Sequence, residues 1–143
     1  TEEVAALELE DGAMVHICEG LSLADGQPIA LFRSVFPTAR FPDLPQKLER
    51  LHSVTAALKE VGVPDYTRAW TRLDARIATA AQAVHLKCRE GTALLRTVSL
   101  NVDPDGLPVE YGRAWFAGDR VTLTVADSSQ TRAGCHQGDN NLA

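Results

Sequence analysis

Cysteine is scarce in these 143 residues: Cys18, Cys88 and Cys135 are odd in number and widely spaced. That excludes a disulfide framework, and no CxxC pair or Cys/His cluster offers a zinc site. His16, His52 and His85 are scattered without metal-ligand spacing, so neither a metal nor a cofactor is expected. A reducing cytoplasm suits this cysteine usage. No apolar run approaches the roughly 20 residues needed to span a bilayer, and no basic-then-apolar leader opens the chain. Positive charge is also short, with 14 Lys and Arg against 19 Asp and Glu and a net charge of −5. This stretch alone is therefore a poor ligand for nucleic acid. An initiator Met is missing too, since the chain starts inside a helix-like run, Thr1-Glu2-Glu3-Val4-Ala5-Ala6-Leu7. The expectation is a piece of a longer protein with a segment upstream. Residues 127–143 are polar, rich in Gly, Ser, Gln and Asn, and without periodicity, which predicts a flexible tail.

What the chain has is ordinary globular material, 45% hydrophobic and 23% charged, enough for one domain with one core. It also has a repeat. An Ala/Leu-rich run, Asp11-Gly12, an alternating segment and Asp25-Gly26-Gln27-Pro28 return as Ala83 and Leu86, Glu90-Gly91, a second alternating segment and Asp105-Gly106-Leu107-Pro108, offset by 79 to 80 positions. Each copy reads as helix, turn, strand, tight turn, strand. Two such units build one antiparallel sheet with helices packed on it, and a pocket is expected between the halves.

Val15, Ile17, Leu21 and Leu23 alternate with His16, Cys18, Gly20 and Ser22, a strand with one core-facing side. Asp25-Gly26 supplies the turn. Asp43 and Ser53 read as N-caps of two short helices, the first with Pro45 in its opening turn, the second stopped by Gly62. Residues 66–78 alternate again, with Tyr66, Arg68, Trp70, Arg72, Asp74 and Arg76 placed on one side. Thr79 and Gln82 have capping-box spacing. Residues 120–125 read as a last strand after the Ala117-Gly118-Asp119 turn. The total is an α+β domain of about six strands and four helices. Asp103 and Asp105 flank a turn and should be solvated, and Arg120 should pin one.

Asp25-Gly26-Gln27-Pro28, Arg40-Phe41-Pro42, Ser53-Val54-Thr55-Ala56-Ala57-Leu58, Asp65-Tyr66-Thr67-Arg68, Asp105-Gly106-Leu107-Pro108-Val109-Glu110-Tyr111-Gly112 and Phe116-Ala117-Gly118-Asp119-Arg120-Val121 occur in this order. Together they resemble the UTRA effector-binding domain of GntR regulators of the HutC subfamily, in particular its phosphonate-metabolism regulators. The resemblance covers residues 1–126. It implies a chorismate-lyase-like fold, a six-stranded, mainly antiparallel sheet with flanking helices. It also implies a homodimer, and an N-terminal winged helix-turn-helix that is absent from this chain and would carry the DNA contacts.

The resemblance further implies where an effector sits. A Ser at a helix start falls on Ser53, where free N–H groups suit an anion, although an N-cap needs the same residue. A Glu on the fifth strand falls on Glu110, which shares a face with Gly112, Ala114 and Phe116. A carboxylate there needs a partner: a ligand hydroxyl or amine, or Arg68 or Arg113 as an internal ion pair. Phe116 either walls the pocket or belongs to the core. The strand arginines of relatives that bind phosphorylated sugars fall on Gly20 and Ser22, which are small and uncharged. An anionic effector would then be met by Arg40 first and Arg68 second, or the small residues make room for a bulkier ligand. Cys18 lies on the same face.

The reading is a non-enzymatic sensor and dimerisation domain of a cytoplasmic transcriptional repressor, binding a small anionic, phosphonate-related metabolite that modulates DNA binding. The alternative is a chorismate-lyase-like enzyme of the same fold, for which no clamping arginine pair is evident. A third is a module that only dimerises.

Overall fold

The computed structural model describes residues 1–126; the expected tail at 127–143 lies outside the described residues. In chain order the elements are α1 (Glu2–Ala6), β1 (Val15–Ala24), β2 (Gln27–Pro37), α2 (Leu44–Leu51), α3 (Val54–Glu60), β3 (Thr67–Ile77), α4 (Ala80–Leu86), β4 (Ala93–Val102) and β5 (Pro108–Ala117). The repeat holds at the level of the backbone. Glu8 and Lys87, which follow the two leading helices, are both left-handed at φ 54° and 50°. Gly12 and Gly91 both take φ 84°, and Gly26 and Gly106 take 76° and 80°. The same left-handed residues at the same offsets make both copies turn alike, because these backbone conformations leave little choice of path.

All five strands are antiparallel, in the order β1-β2-β5-β4-β3. The two hairpins meet along β2 and β5, and Arg33 stands opposite its own repeat equivalent, Arg113. A pseudo-twofold axis therefore passes through that pair. The leading helices cross over it: α1 packs on β5 and α4 on β2, each on the other copy's inner strand. Leu7 after α1 is buried with Val35, Val98, Leu100 and Tyr111, and its repeat mate Leu86 with Ala78 and Leu94. Full burial of one such leucine contributes about 1.5–3 kcal/mol, enough to hold a helix too short to be stable alone. The opposite face is covered at one end by α2 and α3, through Leu44, Leu48, Ala57 and Leu58 against Phe36, Phe41 and Val109. Ser53 caps α3 by accepting from the Ala56 amide, and Thr79 with Gln82 forms the full capping box on α4. Asp43 takes the cap position of α2 without a side-chain hydrogen bond.

Three expectations are corrected. The sixth strand over 120–125 does not form, so the sheet has five strands among the described residues. Both edges of β5 are already taken, by β2 and β4. The chain leaves through a turn in which the Arg120 and Val121 amides donate to the Ala117 carbonyl. Arg120 does pin that exit, donating to the carbonyls of Pro28, Leu86 and Lys87. Second, Asp103 is not solvated; it is 8% exposed and accepts from the amides of Asp105 and Leu107 and from Arg40. Third, Arg68 does not share a face with Trp70. A bulge at Ala69 pairs Arg68 with Asn101 and Trp70 with Leu100, which turns Arg68 to the other side of the sheet.

Candidate functional site

Pairing registers assign the side chains of the face opposite α1 and α4. One row across the sheet reads Cys18, Ser34, Gly112, Ser99, Thr71. The next reads Gly20, Phe32, Ala114, Thr97, Leu73, and beyond it Ser22, Ala30, Phe116, Leu95, Ala75. On the other side of the first row lie Glu110, Asn101 and Arg68. The first row consists of small residues on every strand, a trough floor between a polar row and an aromatic-bearing one.

The polar row is joined by hydrogen bonds. Ser34 Oγ donates to Glu110 Oε1 at 2.6 Å, and Asn101 Nδ2 donates to Glu110 Oε2 at 2.9 Å. Arg68 Nε donates to Asn101 Oδ1 at 2.7 Å and Arg68 Nη1 to Thr71 Oγ1 at 3.2 Å. The chain thus runs β2-β5-β4-β3 through four strands. Two bulges aim it. The one at Ala69 brings in Arg68, and a second skips Val109, so that Asn101 faces Glu110 while Val102 faces Pro108. The repeat contains the counterpart of the second, where Ile29 is skipped between Pro28 and Ala30.

Glu110 is partly buried, and neither arginine considered for it forms an ion pair with it. Arg68 stops at Asn101, and Arg113 lies on the far face, donating to Glu3. The Glu110 charge reaches Cys18: burial first, then the carboxylates of Glu110 and Glu19, raise that thiol above its usual range. A raised thiol is a poor nucleophile, which argues against covalent chemistry at Cys18.

A scan against family models matches the UTRA domain over residues 1–122. The chain belongs to the UTRA domain family. An HTH-type transcriptional regulator of Rhizobium meliloti is 36% identical over 124 residues, covering 87% of this chain and 51% of that protein. The HTH-type transcriptional repressor PhnF of Mycolicibacterium smegmatis is 26% identical over 134 residues, covering 92% of this chain and 54% of the repressor. The crystal structure of the effector domain of PhnF from Mycobacterium smegmatis superposes with a TM-score of 0.80 at 25% identity, covering 87% of this chain and 76% of that one. This UTRA domain spans about half the length of the curated relatives it matches, and those relatives are transcriptional regulators rather than enzymes.

Within the UTRA domain the sequence-nominated residues divide. Glu110 and Arg68 are brought together through Asn101, and Gly20, Ser22 and Phe116 lie on the same face. Gly20 does not make room for a ligand. A Cβ built there would stand 2.5 Å from Phe32 Cζ, so the protein's own ring occupies the space. The same contact explains why an arginine is incompatible with that position while Phe32 keeps its place. Arg40 is held elsewhere, paired with Asp103, donating to the Pro108 carbonyl at 2.9 Å and stacked 5.0 Å from the centre of the Phe41 ring. Ser53 serves α3 as an N-cap.

Sequence reasoning missed Ser34, Ser99 and Asn101. A signal existed: each is a polar residue at a core-period position inside an apolar run, as in Val98-Ser99-Leu100-Asn101-Val102. Such residues need partners when buried, and all three are buried.

Proposed function

We propose that this UTRA domain is the effector-sensing part of a GntR-type transcriptional repressor, working as a cytoplasmic homodimer. It binds a small metabolite on the Glu110 face and thereby changes DNA affinity in a DNA-binding domain carried outside this chain. The observation that carries the reading is the Ser34–Glu110–Asn101–Arg68 network. Four strands contribute to a partly buried carboxylate that no cation among the described residues neutralises, an arrangement costly for folding alone and useful for a ligand. Likeness to PhnF supports a phosphonate-related effector. An effector acts only through its different affinities for the DNA-competent and DNA-incompetent states, so the site need not catalyse anything.

The lyase alternative requires a pair of arginines over a substrate face. The central pair here, Arg33 and Arg113, lies on the opposite side of the sheet and is taken up by Glu3.

A thermal-shift screen of this domain against phosphonates, phosphate esters, inorganic phosphate, sugars, amines and a fractionated bacterial metabolite extract tests the proposal. A ligand at about 100 times its Kd adds about 2.7 kcal/mol, a clear rise in Tm. Failure of every fraction to stabilise the domain, with no effect of the extract on operator binding by the full-length protein, would sink the sensor reading. Light scattering of the domain checks the dimer.

A further inference from the structure

Resting on the sensor reading, we infer that the ligand presents a primary ammonium group to Glu110, so that a phosphonate-type effector would be an aminophosphonate rather than a simple anion. Glu110 carries a full set of carboxylate acceptor sites, about four lone-pair directions, of which Ser34 and Asn101 fill one on each oxygen. Both donors are neutral. Among the described residues no Lys, Arg or His lies within ion-pair distance of it, whereas the other carboxylates that are not exposed, Glu3, Asp74 and Asp103, each have a cationic partner. A partly buried carboxylate with spare acceptor sites and no counter-ion is matched by a cationic donor from outside.

A side-chain position next to the carboxylate is left empty by a glycine. Gly112, one step along β5 on the same face, has no side chain; a Cβ there would stand 3.9 Å from Glu110 Oε1 and 3.1 Å from Ser99 Oγ. That position is bounded by a carboxylate oxygen and a hydroxyl, two groups able to accept from an ammonium. Ser34 and Ser99 flank Gly112 across the strands, which keeps the surroundings small and polar. The cation nearest the carboxylate along the network, Arg68, is already engaged by Asn101 and Thr71.

Matched probes separate the ammonium from the anion: ethanolamine, 2-aminoethylphosphonate and ethylphosphonate, each added to the labelled domain at about 10 mM, where a site of about 1 mM affinity is mostly filled. The readouts are the side-chain amide signals of Asn101 and the carboxylate carbon signal of Glu110. The two amine-bearing probes are expected to shift both, and ethylphosphonate to leave them in place. Glu110→Gln should weaken the amine probes about tenfold or more. Gly112→Ala, which keeps the carboxylate and puts a methyl group beside it, should weaken them as well, so a folding defect in one variant leaves the other decisive. Equal response to ethylphosphonate, no response to either amine, or unchanged amine binding in both variants overturns the inference. An amine-free metabolite that stabilises the domain through Glu110 also overturns it while leaving the sensor reading intact. If no metabolite stabilises the domain and the extract leaves operator binding by the full-length protein unchanged, both fall together.

Discussion

Arg33 and Arg113 face each other across the two central strands on the pseudo-twofold axis, and both donate to the same oxygen of Glu3, at 2.5 and 3.0 Å. Two like charges on opposed strand positions repel, and one carboxylate from α1 bridges them, with the more exposed Glu19 beside Arg33 and Glu2 beside Arg113. The shared contact fastens the five-residue α1 to the sheet at its centre of symmetry. All three side chains are about a fifth to a quarter exposed, so screening by solvent is partial.

Removing that carboxylate should therefore cost more than a surface ion pair would. Glu3→Ala is expected to destabilise the domain by about 1–3 kcal/mol, read as a lower urea midpoint at unchanged slope. The double variant Glu3→Ala/Arg33→Ala should be no less stable than Glu3→Ala alone, since it relieves the exposed repulsion. If the two substitutions cost the same separately and add, the shared bridge contributes nothing.

Asp103 governs part of the acid response. Burial works against its charged form, but the Leu107 amide and the Arg40 guanidinium outweigh that, and its carboxyl lies below the usual range. A depressed carboxylate stabilises the fold above its unfolded-state pKa, and that contribution disappears as pH falls through the folded-state value. Wild-type protein should thus lose stability on acidification below about pH 4, the ordinary aspartate pKa. Asp103→Asn should start lower at pH 7 and show a shallower acid loss. Arg40→Ala should behave likewise. Parallel pH–stability curves for wild type and Asp103→Asn would contradict this assignment.

The architecture was readable because the repeat is written in residues with strong backbone preferences: the Gly12/Gly91 and Gly26/Gly106 pairs set both hairpins, and Thr79-Gln82 announces its helix. The site was less readable because its geometry depends on bulges. Ala69 and Val109 carry no signature in a β-run, yet skipping each decides that Arg68, Asn101 and Glu110 share a face. Strict alternation instead places Arg68 beside Trp70. Arg40 attracts attention as a loop arginine, and only the fold reveals that the distant Asp103 takes it. The expected sixth strand failed for a related reason, since alternation does not say whether a free edge exists.

Gly20 tests whether Phe32 closes that part of the face. Gly20→Ala would bring a Cβ to within 2.5 Å of the Phe32 ring, so the ring must swing away. Overpacking of this kind costs about 1–3 kcal/mol. Phe32→Leu in the same chain should recover most of the loss, and thermal midpoints of the two single variants and the double variant measure the coupling. Additive effects would show that ring and glycine do not share the space.

Cys18 offers a chemical reading of the charge on Glu110. Because burial and then the Glu110 and Glu19 carboxylates raise its pKa, the thiol should be alkylated more slowly at pH 8 than a free cysteine. The measurement uses a Cys88→Ser/Cys135→Ser background, so that a single thiol reports. Glu110→Gln removes one of the charges opposing ionisation while leaving burial in place, and the rate should rise part of the way toward that of a free thiol. A pH–rate profile separates this from simple opening of the site: loss of charge moves the midpoint to lower pH, whereas greater access lifts the plateau and leaves the midpoint alone. An unmoved midpoint in Glu110→Gln would mean that the carboxylate is already neutralised from within the fold.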